Sequence, residues 1–257
     1  MTNSMIDVET PDGVADCYLT QPDDDAHRPG VLFVIDAIGL RAQTKQMADR
    51  IAAQGYVVLA PNVFYRGGRA PLWPDVSLAD PDARAEFMKA LGPLRSALTP
   101  AAITADGGAY LSKLAELTQG SVGITGYCMG GYVGWEIAAS YPERVAALGG
   151  FHTGGMVTDA DDSAHLRAAE VKATVYWGFA DNDGSMTPEN VAVLDQAMNA
   201  AGVDYTTEVY AGATHGYTMA DQGAYDEAAA ERHFDALFDL LARTLRRRGQ
   251  ADAEPRQ

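Results

Sequence analysis

Short apolar runs alternate with segments of helical spacing along most of the chain. Residues 31–35 form an unbroken apolar run, and residues 56–60 form a second one that ends at Pro61. Between them, residues 43–54 repeat apolar side chains at helical spacing, and Gly55 follows as a helix stop. This order predicts a doubly wound, mostly parallel α/β sheet with helices on both faces. The same pattern predicts a strand that runs from residue 121 into Gly126, further strands at 145–149, 173–177 and 206–210, and helices at 101–118, 132–141, 188–201 and 225–248.

Two segments depart from this alternation. Residues 6–10 and 14–19 flank a Pro-Asp-Gly turn, which predicts an antiparallel hairpin at the edge of the sheet. Residues 66–100 are rich in Gly, Pro, Asp and Arg, and we expect an irregular segment with one short helix near 83–90. Residues 1–248 are predicted to form one domain, followed by a polar tail at 249–257.

Composition narrows the class of protein. The chain has 257 residues, and its formal net charge of −16 argues against nucleic acid or an anionic membrane as a partner. No apolar run reaches the ~18–20 residues that a membrane span needs, and the first residues do not resemble a secretory signal. Two cysteines provide no disulfide framework. We therefore expect a cytoplasmic monomer or homodimer that acts on a small molecule.

A nucleophile pattern follows the short apolar strand that begins near residue 121. The sequence there continues as Gly126-x-Cys128-x-Gly130, in which small residues stand two positions before and after a cysteine. This pattern predicts a nucleophile elbow, a tight strand-to-helix turn with strained backbone at the nucleophile. The adjoining helix N-terminus would favour the thiolate form of Cys128. Cys17 lies in a predicted edge strand, and we expect it only to fill space in the core.

A cysteine nucleophile needs a base and a group that orients the base. His215 lies in a Gly-flanked loop after the strand at 206–210, which makes it the expected base. Asp181 and Asp183 follow the strand at 173–177, so the chain order nucleophile, acid, histidine is that of the doubly wound hydrolases. The residues themselves leave open which aspartate orients the base, or whether both only solvate a turn.

Further site residues are expected at the ends of other predicted strands. Asp36 closes the first apolar run, either as a site residue or as a helix N-cap. The backbone N–H groups of Met129 and Ala37 are the expected oxyanion donors. His152 is expected to line the pocket, and the other histidines (His27, His165 and His233) are expected at the surface. We also expect Tyr127, Tyr217 and Arg66 to line the pocket. No cluster of side chains has metal-ligand spacing, so no metal or organic cofactor is implied.

Together these motifs resemble the dienelactone hydrolase family, a branch of the α/β-hydrolases, over most of residues 25–245. The resemblance implies a Cys-His-Asp triad that hydrolyses a small ester or lactone through a thioester acyl-enzyme. It favours Asp183 over Asp181 as the acid, and it implies that Asp36, at the position of a family glutamate, tunes the thiol of Cys128. The matching segments are Asp-Ala-Ile-Gly at 36–39, Ala-Pro-Asn-Val-Phe-Tyr at 60–65, Gly-Tyr-Cys-Met-Gly-Gly at 126–131, Ala-Asp-Asn-Asp at 180–183 and Ala-Thr-His-Gly-Tyr at 213–217.

One departure from the family bears on the substrate. The family's enzymes bind a substrate carboxylate with arginines, one of them four residues after the histidine, where this chain has Met219. The arginines that could replace it lie in the irregular segment: Arg66, Arg69, Arg84 and Arg95. Two other functions stay open, a catalytically silent protein that binds a small molecule on a hydrolase scaffold and a redox-sensing thiol protein.

Overall fold

One eight-stranded sheet organises the chain. The computed structural model describes residues 1–24, 26–74, 76, 78 and 80–246, with side chains as far as residue 245. The strands are β1 (Thr2–Thr10), β2 (Gly13–Gln21), β3 (Gly30–Val34), β4 (Val57–Pro61), β5 (Val122–Tyr127), β6 (Val145–Phe151), β7 (Thr174–Asn182) and β8 (Tyr205–Thr214). Their order across the sheet is β1-β2-β4-β3-β5-β6-β7-β8.

The sheet is parallel from β4 to β8, and the first two strands form an antiparallel hairpin at one edge. Strands β3, β4, β5 and β6 are buried along their whole length, because helices cover both faces of the sheet. Their near-continuous apolar composition follows from this double burial. The predicted α/β class, the strand order along the chain and the edge hairpin are confirmed.

Six α-helices are described within these residues. They are α1 (Ala42–Ala52), α2 (Pro81–Ser96), α3 (Pro100–Leu117), α4 (Met129–Ser140), α5 (Pro188–Ala201) and α6 (Glu227–Leu241). None of the helices in the described residues is long and apolar enough to cross a membrane.

Two predicted helices differ from those in the structure. The segment predicted to be irregular contains the 16-residue helix α2, which begins with Asp80 as N-cap and Pro81 at its first position. The final α-helix ends at Leu241, and a π-helical turn continues to Arg246. The rest of the predicted helix and the predicted tail, residues 247–257, lie outside the described residues.

The expectation that His233 lies at the surface is wrong. His233 is on the buried face of α6 with Leu237 and Leu241. Its Nε2 is 3.2 Å from the hydroxyl of Tyr127, and its ring packs edge-on against Phe151. Burial lowers the pKa of His233 to about 3, so the imidazole is a neutral part of the core.

The parallel strands bring the loops that follow β3, β5, β6, β7 and β8 to one edge of the sheet. Asp36, Cys128, His152, Asp183 and His215 all lie in or directly beside these loops. The topology therefore gathers residues that are up to 179 positions apart in the sequence (215 − 36).

Candidate active site

Cys128 lies in a tight turn between β5 and α4. Its backbone has φ +56° and ψ −124°, a conformation that side-chain-bearing residues rarely adopt. The flanking residues must be glycine: a Cβ at Gly126 would lie 2.2 Å from the carbonyl oxygen of Gly130, and one at Gly130 would lie 2.4 Å from that of Val34. The turn therefore exposes the thiol beside the first residue of α4.

His215 and Asp183 meet at the ends of β8 and β7. Asp183 Oδ2 is 2.6 Å from His215 Nδ1, and because an ionised carboxylate only accepts, Nδ1 is the donor. Ser185 supports the other oxygen, donating to Asp183 Oδ1 from its hydroxyl at 2.6 Å and from its backbone N–H at 2.9 Å. Asp181 instead accepts the backbone N–H of Gly212 at 2.9 Å. Of the two aspartates, only Asp183 is brought to His215.

The electrostatics of this pair favour an imidazolium. Burial opposes protonation of His215, but its interactions with Asp183 and with the thiol of Cys128 outweigh burial and raise its pKa to about 10. Burial likewise opposes ionisation of Asp183, but hydrogen bonds from His215 and Ser185 lower the pKa of that carboxyl. His215 thus interacts with Cys128 on one side and is hydrogen-bonded to Asp183 on the other.

The two residues whose backbone N–H groups are expected to hold an oxyanion line the same cavity as Cys128. Met129 is the first residue of α4, so its N–H has no acceptor within the helix. Ala37 lies in the loop after β3 and lines the same cavity as Cys128. The loop is shaped by Asp36, whose Oδ1 accepts the N–H groups of Ile38 at 3.1 Å and Gly39 at 3.2 Å.

Arg41 binds Asp36 and Asp221 at once. Its Nη1 and Nη2 donate to the two oxygens of Asp36 at 2.7 and 3.0 Å, while Nε and Nη2 donate to those of Asp221 at 2.6 and 3.0 Å. A fifth bond runs from Nη1 to the carbonyl oxygen of Gly39 at 3.1 Å. All five N–H groups of a guanidinium that is only 7 % exposed are therefore satisfied.

Asp36 lines the cavity and is paired with Arg41. Both of its oxygens are engaged by Arg41 and the loop backbone, so its contacts are those of a residue that shapes the loop. It is not the N-cap of α1, a position that belongs to Arg41 itself. Burial raises the pKa of Asp36, and Arg41 opposes that shift.

His152 lines the cavity directly after β6. Its backbone φ is +38°, and its ring lies edge-on to His215 with the ring centres 5.1 Å apart. Its Nε2 is 2.8 Å from the hydroxyl of Thr218. Burial lowers the pKa of His152 well below its usual range, so a neutral imidazole stands beside His215.

Three expected pocket residues lie elsewhere. Tyr127 is the last residue of β5, and its ring packs on Phe33 and Phe151 in the core. Tyr217 is fully buried and donates its hydroxyl to the carbonyl oxygen of Gly178. Arg66 forms ion pairs with Asp12 and Asp106 away from the cavity. The expectation that these three line the pocket is corrected accordingly.

A cavity of about 790 Å³ contains Cys128, His215 and Asp183 in its wall. Met219, at the position of the family arginine, lines it as well. Of the candidate arginines, Arg84 and Arg95 line the cavity from α2, whereas Arg69 pairs with Asp7 at the hairpin. No group of three or more possible metal ligands occurs in the described part of the chain.

Three contributors to this site were not identified from the sequence: Ser185, Arg41 and the cavity-lining face of helix α2, of which only a short helix near 83–90 was predicted. Ser185 could have been found from its place two residues after Asp183, where a serine commonly closes a turn on an aspartate. Arg41 had a weaker signal, namely a basic residue five positions after Asp36. The cavity-facing residues of α2 recur at helical spacing within a segment dominated by turn-forming residues.

A largely parallel eight-stranded sheet with a strained turn before α4, and a histidine and an acid after its last strands, defines an α/β-hydrolase. Solved structures agree on this fold: "Crystal Structure of Putative Dienelactone Hydrolase from Klebsiella pneumoniae subsp. pneumoniae MGH 78578" superposes with a TM-score of 0.82 at 22 % identity, covering 94 % of this chain and 98 % of that one. The Dienelactone hydrolase family model matches residues 15–245, and the chain belongs to this family.

Curated relatives are similar over most of their length. The "Putative carboxymethylenebutenolidase" of Salmonella typhi is 25 % identical, over 91 % of this chain and 90 % of its own. The "Carboxymethylenebutenolidase homolog" of Rattus norvegicus is 29 % identical, over 78 % of this chain and 74 % of its own. The family and these relatives make the protein a carboxylic ester or lactone hydrolase.

Proposed function

We propose that the protein hydrolyses a small ester or lactone with Cys128 as nucleophile, His215 as general acid and base, and Asp183 as the residue that orients His215. The observation that carries this proposal is the 2.6 Å bond between His215 Nδ1 and Asp183 Oδ2, made by an imidazole that also interacts with the thiol of Cys128. Nucleophile, base and orienting acid in contact are the arrangement that covalent acyl transfer requires.

The proposed reaction has two halves. Cys128 Sγ attacks the carbonyl carbon, and the proton of the thiol is held on His215. When the C–O bond breaks, His215 gives this proton to the leaving oxygen, and the acyl group remains on sulfur as a thioester. A water molecule then attacks the thioester, with His215 accepting its proton, and the thiol is regenerated.

The negative charge on the carbonyl oxygen is stabilised in both halves by the N–H groups of Met129 and Ala37. In this proposal Asp36 acts on the reaction through the loop that carries Ala37, which it shapes together with Arg41. Because the curated relatives are carboxymethylenebutenolidases by name, an unsaturated lactone of that type belongs in the first substrate set.

The test compares Cys128→Ala with Cys17→Ala on an activated aryl ester and on dienelactone. Cys128→Ala should abolish turnover of both, and Cys17→Ala, which alters a buried side chain in β2, should keep it. In the wild type, quenching with acid during turnover should yield the Cys128 thioester by mass spectrometry. Equal turnover by the Cys128 variant would refute the proposal. Absence of turnover in the wild type, with a small lactone raising Tm, would instead favour the silent binding protein.

A further inference from the structure

One face of α2 covers the catalytic cavity. Arg84, Phe87, Met88, Leu91 and Arg95 all line it. Their spacings of three, one, three and four residues place them on one side of the helix. The face therefore consists of an apolar stripe, Phe87-Met88-Leu91, with an arginine at each end.

The three residues of the stripe differ in how deeply they are buried. Phe87 and Leu91 are the only buried residues described in α2, and Met88 between them is 50 % exposed. The ring of Trp73 packs edge-on against Phe87 at 5.0 Å and supports the stripe from outside the helix. Isolated apolar residues at a surface need no explanation, but three that converge on a cavity beside a nucleophile form a binding surface.

Apolar residues from other elements line the cavity as well. Ile38 and Ala37 come from the loop after β3, Met129 from the start of α4, and Met219 from the loop after β8. Met219 is significant because an arginine there would place a charge in the cavity wall. Polar groups also line the cavity, among them Arg84, Arg95 and Asp221, so the apolar surface lies between these groups and the thiol and imidazole.

The volume is large for a small lactone alone. A cavity of ~150 Å³ is enough to bind benzene, and cavities of roughly 300–1,000 Å³ enclose ligands of drug size. At about 790 Å³ the cavity has room for a reacting carbonyl group and a chain or ring system of many further carbon atoms.

We propose that the cavity between the Phe87-Met88-Leu91 stripe and Met219 binds an extended apolar group attached to the ester carbonyl or to its oxygen, which makes hydrophobic esters the preferred substrate class. This inference rests on the proposed function, because it assigns the substrate of that same site. Such a group would displace water from the apolar walls, while the carbonyl carbon stays within reach of Cys128.

The experiment measures kcat/KM for two ester series below their solubility limits. The first is p-nitrophenyl esters with acyl chains from acetate to octanoate, and the second is alkyl acetates from ethyl to octyl. The series whose chain enters the cavity should gain up to about fourfold per methylene, the gain for full burial of one CH₂ group. The series that rises identifies the side of the ester that the cavity holds. Flat or falling values in both would overturn the inference.

A matched pair of variants locates the effect. Met88→Gln keeps the length of the side chain but makes the middle of the stripe polar, so the octanoate-to-acetate (or octyl-to-ethyl) ratio of kcat/KM should fall at least threefold. Met5→Gln makes the same change at a methionine of β1 that is 40 % exposed and lies outside the cavity, and it should leave the ratio unchanged. An unchanged ratio in Met88→Gln would contradict the assignment to α2.

Cys128→Ala separates the two proposals. If this variant keeps its turnover, the proposed function fails whatever the chain-length profile is. If Cys128→Ala is inactive and the wild-type profile is flat, only the inference about hydrophobic esters fails.

Discussion

Arg41 and Asp221 are joined by two hydrogen bonds, from Nε at 2.6 Å and from Nη2 at 3.0 Å. The remaining N–H groups of Arg41 bind Asp36 and Gly39 in its own loop. The guanidinium therefore fastens the loop that carries Ala37 to the loop that follows His215.

Arg41→Lys should lower the rate of ester hydrolysis more than it lowers the reactivity of the Cys128 thiol. Lysine supplies three donors on a flexible stem, so it cannot hold two carboxylates and a carbonyl oxygen in one plane. We expect kcat/KM for an aryl ester to fall about 10- to 100-fold, less than the roughly 10²- to 10³-fold that removal of one oxyanion donor costs, because the donor is displaced and not removed.

Alkylation by iodoacetamide is the second readout for this variant. It needs the thiol of Cys128 but no oxyanion donor, and because Cys17 is fully buried the label reports Cys128 in the folded protein. The alkylation rate should change by less than about twofold in Arg41→Lys. A parallel fall in hydrolysis and alkylation, together with a lower Tm, would show that Arg41 only stabilises the fold.

Asp183→Asn should lower kcat by about 10³- to 10⁴-fold, because an amide at this position no longer stabilises the imidazolium or fixes its tautomer. Asp181→Asn is the matched control, since Asp181 is exposed and binds only Gly212 in the described structure. Steady-state kinetics at saturating ester would measure both. If the Asp181 variant were the slower one, the assignment of the orienting acid would be reversed.

His233 should make stability depend on acid pH. Its folded pKa of about 3 lies below the ordinary value of about 6.5, so between these two values the unfolded chain binds more protons and stability falls as the pH falls. From pH 7 to pH 5 this loss amounts to about 2 kcal/mol at most.

Replacing His233 by Phe removes the titrating group while keeping an aromatic ring against Phe151. Urea unfolding at pH 7 and pH 5 should show a smaller loss of unfolding free energy in the variant than in the wild type. Loss of the contact with Tyr127 lowers stability at both pH values and cancels in this difference. Equal losses in the two proteins would mean that His233 does not stay neutral in the fold.

Gly130→Ala should cost about 2–3 kcal/mol of unfolding free energy, since the new methyl group would press on the backbone of β3. Gly92→Ala provides a comparison within helix α2, where a Cβ meets nothing within 4 Å. That substitution should stabilise the protein by about 0.5–1 kcal/mol. Chemical denaturation of both variants measures the contrast, and similar effects would mean that the elbow can relax around a side chain.

The order of strands and helices could be predicted because buried parallel strands must be apolar on both faces. Residues 31–35 and 56–60 show this without ambiguity. Helix α2 was predicted only in part, near residues 83–90 of Pro81–Ser96, because the segment around it is rich in turn-forming residues. A helix packed on the sheet, such as α5, carries a regular stripe and was predicted with both ends at the observed residues.

The positions of Cys128, His215 and Asp183 at the same edge of the sheet could be anticipated from chain order. Side-chain direction could not be anticipated as easily. Tyr127 is adjacent to Cys128 in sequence, yet it is the last residue of β5 and its ring packs in the core. His233 lies in a segment with several charged residues, but four residues before Leu237, and helical spacing places it with leucines on the buried face.

Strand β8 is the outermost strand of the sheet, and β7 is its only neighbour there within the described chain. Asp183 and His215 lie at the ends of these two strands, whereas Cys128 follows β5, which lies between β3 and β6 in the middle of the sheet. A motion of β7 and β8 together would move Asp183 and His215 as a pair. It would preserve the hydrogen bond between them and change the distance from His215 to the sulfur of Cys128. The reactivity of the Cys128 thiol would then depend on how strongly β7 and β8 are held in place at this edge of the sheet.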